Sequence, residues 1–150
     1  MELILWRHAE AEDGIPDMAR QLTAKGAKQA DKMAAFLRTR LPQDTRILVS
    51  PAKRAQQTAQ ALTKNFITEQ SISPGALPQA ILKAADWLDG EGCVLIVGHQ
   101  PALGEVAATL MSGKPDYWSI KKGAIWWFSR REREENSETI LRLVIAPDFL

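Results

Sequence analysis

The chain has 150 residues, of which 45% are hydrophobic and 25% are charged, and its formal net charge is +1. This composition is typical of a globular protein, and the length favours a single domain over residues 1–150 with a substantial core. The near-neutral charge gives no support for binding to nucleic acid or to an anionic membrane, so we expect neither partner.

The cysteine content and the opening segment bear on location. The single cysteine, Cys93, excludes an intramolecular disulfide and fits a reducing compartment. The opening MELILW has no basic region, and its apolar run is too short for a signal peptide or a membrane span. We therefore expect a cytoplasmic protein.

The first predicted element is a strand at residues 3–6, a continuous apolar run. Such runs, without polar alternation, are typical of strands covered on both faces, as in a parallel sheet between helices. A helix follows from about Ala24 to Arg40, with Thr23 as its N-cap and Pro42 beyond its end.

A second apolar run predicts a strand at residues 47–49. Ser50-Pro51 then opens a helix over about 52–65, since proline is tolerated in a first helical turn. Residues 74–78 are predicted as a loop, and a third helix follows at 80–88.

The third apolar run, at residues 94–97, predicts another buried strand, and a helix follows as far as about Met111. Two apolar segments, 124–129 and 139–146, flank a charged stretch, which predicts a β-hairpin with a solvated tip. This order of elements predicts an α/β fold with a mixed, mainly parallel sheet and helices on both faces.

Histidine and arginine side chains follow the predicted strands. Arg7 and His8 come directly after the first, Arg54 lies shortly after the second, and His99 follows the third. Because ligands bind at the carboxyl ends of the strands in such folds, we expect these side chains to converge. Arginine binds phosphoryl groups through bidentate hydrogen bonds, so the set indicates a phosphate site.

Other catalytic classes find little support in the sequence. Zinc usually needs three or four ligands, whereas this chain has two separated histidines and no HExxH motif, so we expect no metal and no other cofactor. The chain also lacks a G-x-S-x-G elbow, a P-loop and a GxGxxG motif, which argues against serine hydrolases, P-loop enzymes and dinucleotide-binding enzymes.

Three motifs, in order, resemble those of the histidine phosphatase superfamily: Arg7-His8, S-P-x-x-R-A-x-x-T from Ser50 to Thr58, and Gly98-His99. The segment DMARQLTAKG, from Asp17 to Gly26, is similar to the SixA branch of phosphohistidine phosphatases. The resemblance covers Leu3 to about Met111. It implies a three-layer α/β/α sandwich, compatible with a C-terminal hairpin, and a metal-independent phosphatase whose own histidine is transiently phosphorylated.

The resemblance also implies a role for each matching residue. His8 is expected to be the nucleophile, with Arg7, Arg54 and His99 forming the phosphate pocket around it. All four are therefore expected to be catalytic, and the last three also to bind substrate. Arg20 matches an arginine that reaches the phosphate site in the SixA branch, which makes it a further substrate-binding residue.

The motifs leave the proton donor open. Many superfamily members have a glutamate acid where this chain has Gln79, which cannot donate an acidic proton. Asp17, which matches an aspartate of the SixA branch, and the loop acids Glu10 and Glu12 are the possible replacements. A second departure is Ala9, because the superfamily commonly has glycine after Arg-His.

The missing acid favours phosphohistidine as substrate, because a protonated phosphohistidine ring expels neutral imidazole whereas a phosphate ester expels an alkoxide. We therefore predict hydrolysis of phosphohistidine on a partner protein, such as a phosphotransfer domain or a phosphocarrier, with release of phosphate. Two alternatives stay open: a phosphatase of a small phosphomonoester metabolite, and a non-catalytic module that binds phosphorylated proteins. A nucleophile would be superfluous in the module.

Overall fold

The computed structural model describes all 150 residues and is built on one six-stranded sheet. Its strands in chain order are β1 (Glu2–Arg7), β2 (Arg46–Val49), β3 (Ile67–Thr68), β4 (Cys93–Gly98), β5 (Ile125–Arg133) and β6 (Asn136–Ile145). Across the sheet the order is β3-β2-β4-β1-β5-β6. The first four of these pair in parallel, and β5 runs antiparallel to both β1 and β6. The predicted mixed, mainly parallel sheet is confirmed.

Helices cover both faces of the sheet. They are α1 (Ala24–Arg38), α2 (Lys53–Gln60), α3 (Pro78–Ala84) and α4 (Ala102–Ser112). Helices α1 and α2 contribute side chains such as Met33 and Ala55 to the core on one face. Helices α3 and α4 contribute Ile81 and Leu103 to the core on the other. This is the expected three-layer α/β/α sandwich.

Strand β1 shows why its sequence is apolar throughout. Successive side chains on a strand point to opposite faces, so Ile4 and Trp6 pack in the core under α1 and α2, while Leu3 and Leu5 pack under α3 and α4. Full burial of each aliphatic side chain contributes roughly 2 kcal/mol. Between these two cores the strand is held rigidly, and the residues after it are fixed with it.

The first helix begins as predicted, because the Thr23 side chain accepts a hydrogen bond from the Gly26 N–H at 2.9 Å. Two later helices are shorter than predicted. The chain tightens after Gln60, where Leu62 N–H bonds to the carbonyl of Ala59, three residues back. The third helix ends at Ala84 instead of residue 88, because Asp86 adopts a left-handed backbone with φ 53°.

The C-terminal hairpin is longer than predicted, since most of the charged stretch is strand. The pairing continues from Arg131 opposite Glu138 to Arg133 opposite Asn136, leaving only residues 134–135 at the tip. Opposite charges facing each other across strands stabilise such a solvent-exposed pairing. Strand β3 was not predicted, because its two residues carry no apolar pattern. None of the helices has the length and hydropathy needed to cross a membrane.

Gly26 provides a test of how tightly the loop after β1 is held. A Cβ atom at this position would lie 1.9 Å from the carbonyl oxygen of Glu10. We expect Gly26→Ala to lower the free energy of unfolding by about 1–3 kcal/mol, because the loop or the helix must move. Urea unfolding followed by tryptophan fluorescence measures this change.

The matched control is Gly98→Ala, whose added methyl would meet Leu103 at an ordinary 3.7 Å. We expect this control to change the free energy of unfolding by less than about 1 kcal/mol. Equal stabilities of the two variants would contradict the close approach of the loop to α1.

Candidate active site

The predicted site residues lie at one edge of the sheet, where β1, β2 and β4 end. Arg7 closes β1 opposite Gly98 of β4, so His8 and His99 leave neighbouring strands at the same level. Both histidines are buried, and their ring centroids are 5.1 Å apart with the planes tilted by 52°. The parallel pairing thus brings together two residues that are far apart in the sequence.

The His8 ring has a defined proton arrangement. Its Nδ1 lies 2.7 Å from the carbonyl oxygen of Ala9. A carbonyl can only accept, so Nδ1 carries the proton and Nε2 carries the lone pair. Burial lowers the pKa of His8 to about 4; the Ala9 bond opposes this shift, and the positive charges of Arg54, Arg7 and Arg20 add to it. His8 is therefore neutral at pH 7.

His99 is neutral as well. Its Nε2 hydrogen bonds to the hydroxyl of Ser50 at 2.7 Å, and its Nδ1 is buried without a partner. Burial is the main cause that lowers the pKa of His99 to about 3, followed by the neighbouring His8 and Arg54. A phosphoryl anion beside the ring would favour its protonation.

Two positively charged arginine side chains lie at this edge of the sheet. Arg54 is buried in the first turn of α2 and donates to the Asp17 carbonyl at 2.9 Å and to the Asp17 carboxylate at 3.2 Å. Arg7 donates to the Ile120 carbonyl at 2.7 Å. The Nε–H groups of both arginines are buried and have no hydrogen-bond partner.

Asp17 joins Arg54 to Arg20. Its second carboxylate oxygen accepts from Arg20 at 3.1 Å, and Arg20 also donates to the Glu12 carbonyl at 2.7 Å. The hydrogen bond from Arg20 is the main cause that lowers the pKa of Asp17. Asp17 is thus a carboxylate in the ligand-free pocket, and its role as proton donor stays a prediction.

The other possible donors lie farther from this arrangement. The Glu10 carboxylate accepts from the Thr23 hydroxyl at 2.8 Å, which engages it with the start of α1. Glu12 is exposed, and only its carbonyl contacts a site residue, Arg20. Gln79 is exposed in the first turn of α3. The donor role of Glu10 therefore also stays a prediction.

Ala9 fits the position where the superfamily commonly has glycine. It is fully buried and is not among the residues with positive φ, so its backbone conformation suits any L-amino acid. Its N–H donates to the hydroxyl of Thr58 at 3.1 Å. The departure from glycine therefore causes no backbone strain.

Sequence reasoning missed two buried contacts of this site, those of Ser50 and Thr58. Ser50 holds His99, and Thr58 holds Ala9 while donating to the Arg54 carbonyl at 2.7 Å. Both residues belong to the S-P-x-x-R-A-x-x-T motif, in which only Arg54 was predicted to be a site residue. The polar ends of that motif were the signal that could have identified them.

Comparisons with known proteins agree with the motifs. The family model for the histidine phosphatase superfamily (branch 1) matches residues 3–75. A phosphohistidine phosphatase SixA homolog of Haemophilus influenzae is 35% identical over an alignment of 126 positions, and the alignment covers 73% of this chain and 77% of that protein. Phosphohistidine phosphatase SixA of Escherichia coli is 30% identical over an alignment of 124 positions, with 76% of each chain covered.

Solved structures share the fold. The protein histidine phosphatase SixA complexed with tungstate superposes with a TM-score of 0.82, at 23% identity over 99% of both chains. A phosphoserine phosphatase mutant from Entamoeba histolytica, in complex with phosphoserine, gives 0.74 at 18% identity over 99% of this chain and 98% of that one. Together with the sequence relatives, these findings show that the chain belongs to the histidine phosphatase superfamily, in its SixA-like branch.

Proposed function

We propose that this protein is a phosphohistidine phosphatase that hydrolyses phosphohistidine on a partner protein through a covalent intermediate on His8. The observation that carries the proposal is the proton arrangement of His8, whose Nδ1–H is held by the Ala9 carbonyl while Nε2 keeps its lone pair. The relatives named as phosphohistidine phosphatases support the substrate class.

In the first step, His8 Nε2 attacks the phosphorus atom of the bound phosphohistidine. A bond from Nε2 to phosphorus forms as the bond from phosphorus to the substrate ring nitrogen breaks, and the ring leaves as neutral imidazole if its other nitrogen is protonated. Arg7 and Arg54 stabilise the negative charge on the phosphoryl oxygens. Covalent transfer divides the hydrolysis into two easier steps.

In the second step, water attacks the phosphoryl group on His8, the Nε2–phosphorus bond breaks, and phosphate is released. The proton on His8 Nδ1, which is hydrogen bonded to the Ala9 carbonyl, makes this possible, because the His8 ring then also leaves as neutral imidazole. Neither departing ring requires a strong acid. The absence of a glutamate at Gln79 is therefore compatible with turnover of phosphohistidine.

A charged recess supports a protein as the substrate. It has a volume of about 470 Å³ and includes Lys25, Lys121, Lys122 and Glu10 in its lining. It adjoins the nucleophile, because the residue after Lys122 donates its N–H to the His8 carbonyl at 3.1 Å. We propose that acidic residues beside the phosphohistidine of a phosphotransfer domain or phosphocarrier bind here.

The charges of this lysine recess are only partly compensated. Asp148 lies 3.3 Å from Lys121, and Glu10 is engaged by Thr23. Lys25 and Lys122 form no ion pair with any carboxylate. Positive potential beside an active site accelerates the encounter with an acidic partner. A cytoplasmic location belongs to the same proposal, and the free thiol of Cys93 fits a reducing compartment.

The nucleophile is tested by trapping the intermediate. Wild-type protein mixed with a ³²P-labelled phosphohistidyl protein and quenched in base within milliseconds is expected to carry acid-labile label on His8. His8→Ala is expected to carry none and to lose at least about 10³-fold in kcat, because the covalent route is closed. Mass spectrometry of digested protein locates the label.

Arms with other substrates separate the alternatives. Turnover of phosphoserine or a sugar phosphate as fast as that of the phosphohistidyl protein would favour the small-phosphomonoester phosphatase. Tight binding of the phosphohistidyl protein with neither label nor turnover would favour the non-catalytic module.

The pH dependence follows from the lowered pKa of His8. Protonation of Nε2 removes the lone pair that attacks phosphorus, so kcat/KM is expected to fall as pH drops through about 4. An ordinary histidine would lose activity near pH 6.5 instead. Titration of the His8 ring by NMR measures the pKa directly. A value of 6 or above would contradict the buried, arginine-flanked environment.

The lysine recess is tested by charge reversal. Lys25→Glu combined with Lys122→Glu is expected to lower kcat/KM for an acidic phosphohistidyl protein about tenfold at low salt and to weaken its salt dependence. Free phosphohistidine should be hydrolysed at the wild-type rate, since the pocket is unchanged. Initial rates over a series of salt concentrations provide the measurement.

The control reverses the same number of charges elsewhere, with Lys64→Glu and Lys83→Glu. Both lysines are exposed. Lys64 follows α2 and Lys83 lies in the last turn of α3, and each precedes a strand that leads toward the site, so both lie near the opposite ends of the strands. An equal loss in the control would attribute the effect to net charge alone and would remove the recess from the proposal.

A further inference from the structure

Two side chains outside the phosphate pocket fix the peptide groups on either side of Ala9. Thr58 comes from α2 and Gln29 from α1. We propose that Thr58 and Gln29 are positioning residues that orient His8. They hold the peptide groups before and after Ala9, and the second of these carries the carbonyl to which the His8 Nδ1–H is bonded. This inference rests on the proposed role of His8 as nucleophile.

Thr58 fixes the peptide between His8 and Ala9. Its hydroxyl donates its only proton to the Arg54 carbonyl at 2.7 Å. The oxygen is then left to accept the Ala9 N–H at 3.1 Å. Because Thr58 is fully buried, no water competes for this bond. The direction of both hydrogen bonds is therefore defined.

Gln29 fixes the next peptide, between Ala9 and Glu10. Its Oε1 accepts the Glu10 N–H at 3.0 Å. That N–H belongs to the same peptide group as the Ala9 carbonyl, and in a trans peptide the two point in opposite directions. Holding the N–H on Gln29 therefore directs the carbonyl away from α1, to the position where His8 Nδ1 meets it at 2.7 Å.

The surrounding backbone also forms hydrogen bonds with this loop. His8 N–H donates to the Gly98 carbonyl, the His8 carbonyl accepts from Gly123, and the Glu10 carbonyl accepts from the Thr23 N–H. Every main-chain donor and acceptor from His8 to Glu10 is thus bonded. Three side chains outside the segment take part: Thr58 and Gln29 accept its N–H groups, and the Thr23 hydroxyl makes a long contact of 3.5 Å with the Glu10 carbonyl.

The consequence concerns the attacking nitrogen. A fixed Ala9 carbonyl keeps the proton on Nδ1 and sets the angle of the ring, so Nε2 alone is available to phosphorus. Rotation of this peptide would allow the proton to move to Nε2, where it blocks attack. Neither Thr58 nor Gln29 needs to touch the phosphoryl group to have this effect.

The test removes each acceptor with little change of shape, by Thr58→Val and Gln29→Met. We expect kcat for a phosphohistidyl protein to fall roughly 10- to 100-fold in each, because small errors in the position of a reacting group are costly. The Kd for tungstate, a phosphate analogue that we expect the arginines to bind, should change less than threefold. Thr58→Ser and Gln29→Glu keep the acceptors and should restore kcat to within threefold of wild type.

The ¹⁵N chemical shifts of the His8 ring supply a readout that a general loss of stability would not move. The wild-type ring is expected to be protonated on Nδ1, and the Nε2-protonated form should gain population in Thr58→Val and Gln29→Met. Unchanged kcat in both variants would overturn the proposal. So would a parallel loss of kcat and tungstate affinity with an unchanged tautomer.

Two further outcomes have a defined meaning. If Thr58→Val fails to fold, Gln29→Met decides alone, since Gln29 is only half-buried and lies on a different helix. If the wild-type protein does not hydrolyse phosphohistidine, the proposed function fails. The tautomer shift in the variants would still decide whether Thr58 and Gln29 hold the ring.

Discussion

The hydrogen bond from His8 Nδ1 to the Ala9 carbonyl is the interaction on which the site depends. The remaining architecture holds its two ends. Strand β1, buried on both faces, fixes the backbone of His8, and the helices on one face fix the peptides beside Ala9. Burial and the neighbouring arginines keep the ring neutral, so that its proton is located by geometry rather than shared with solvent.

A carboxylate pairs with two of the arginines of the pocket. Buried guanidinium groups are costly unless a negative charge or several acceptors meet them. Asp17 contacts both Arg54 and Arg20, and backbone carbonyls accept from Arg7 and Arg54. In the proposed reaction, a phosphoryl group would therefore meet arginines that these contacts have already oriented.

Much of the fold and of the site could be predicted from the sequence, because buried parallel strands have continuous apolar runs and the site residues follow them. The motifs were sufficient to predict the family, while the functional roles of their residues stay predictions. Local pattern could not reveal β3, whose two residues depend on pairing with β2, or the end of α3, which is set by the backbone of Asp86. The contact of Gln29 with the site also could not be predicted, since it depends on α1 packing beside a loop from another part of the chain.

The pairing of β1 with β4 connects the folding of the chain to its activity. Glu2 lies opposite Cys93, and Gly123, whose N–H bonds to the His8 carbonyl, comes later still in the sequence. The pocket therefore combines Arg7 and His8 with Arg54 and His99 from distant parts of the sequence. Long-range parallel pairing forms slowly because a large loop must close first. A nascent or partly unfolded chain is therefore expected to lack phosphatase activity. The appearance of activity during refolding would thus report that the sheet is complete.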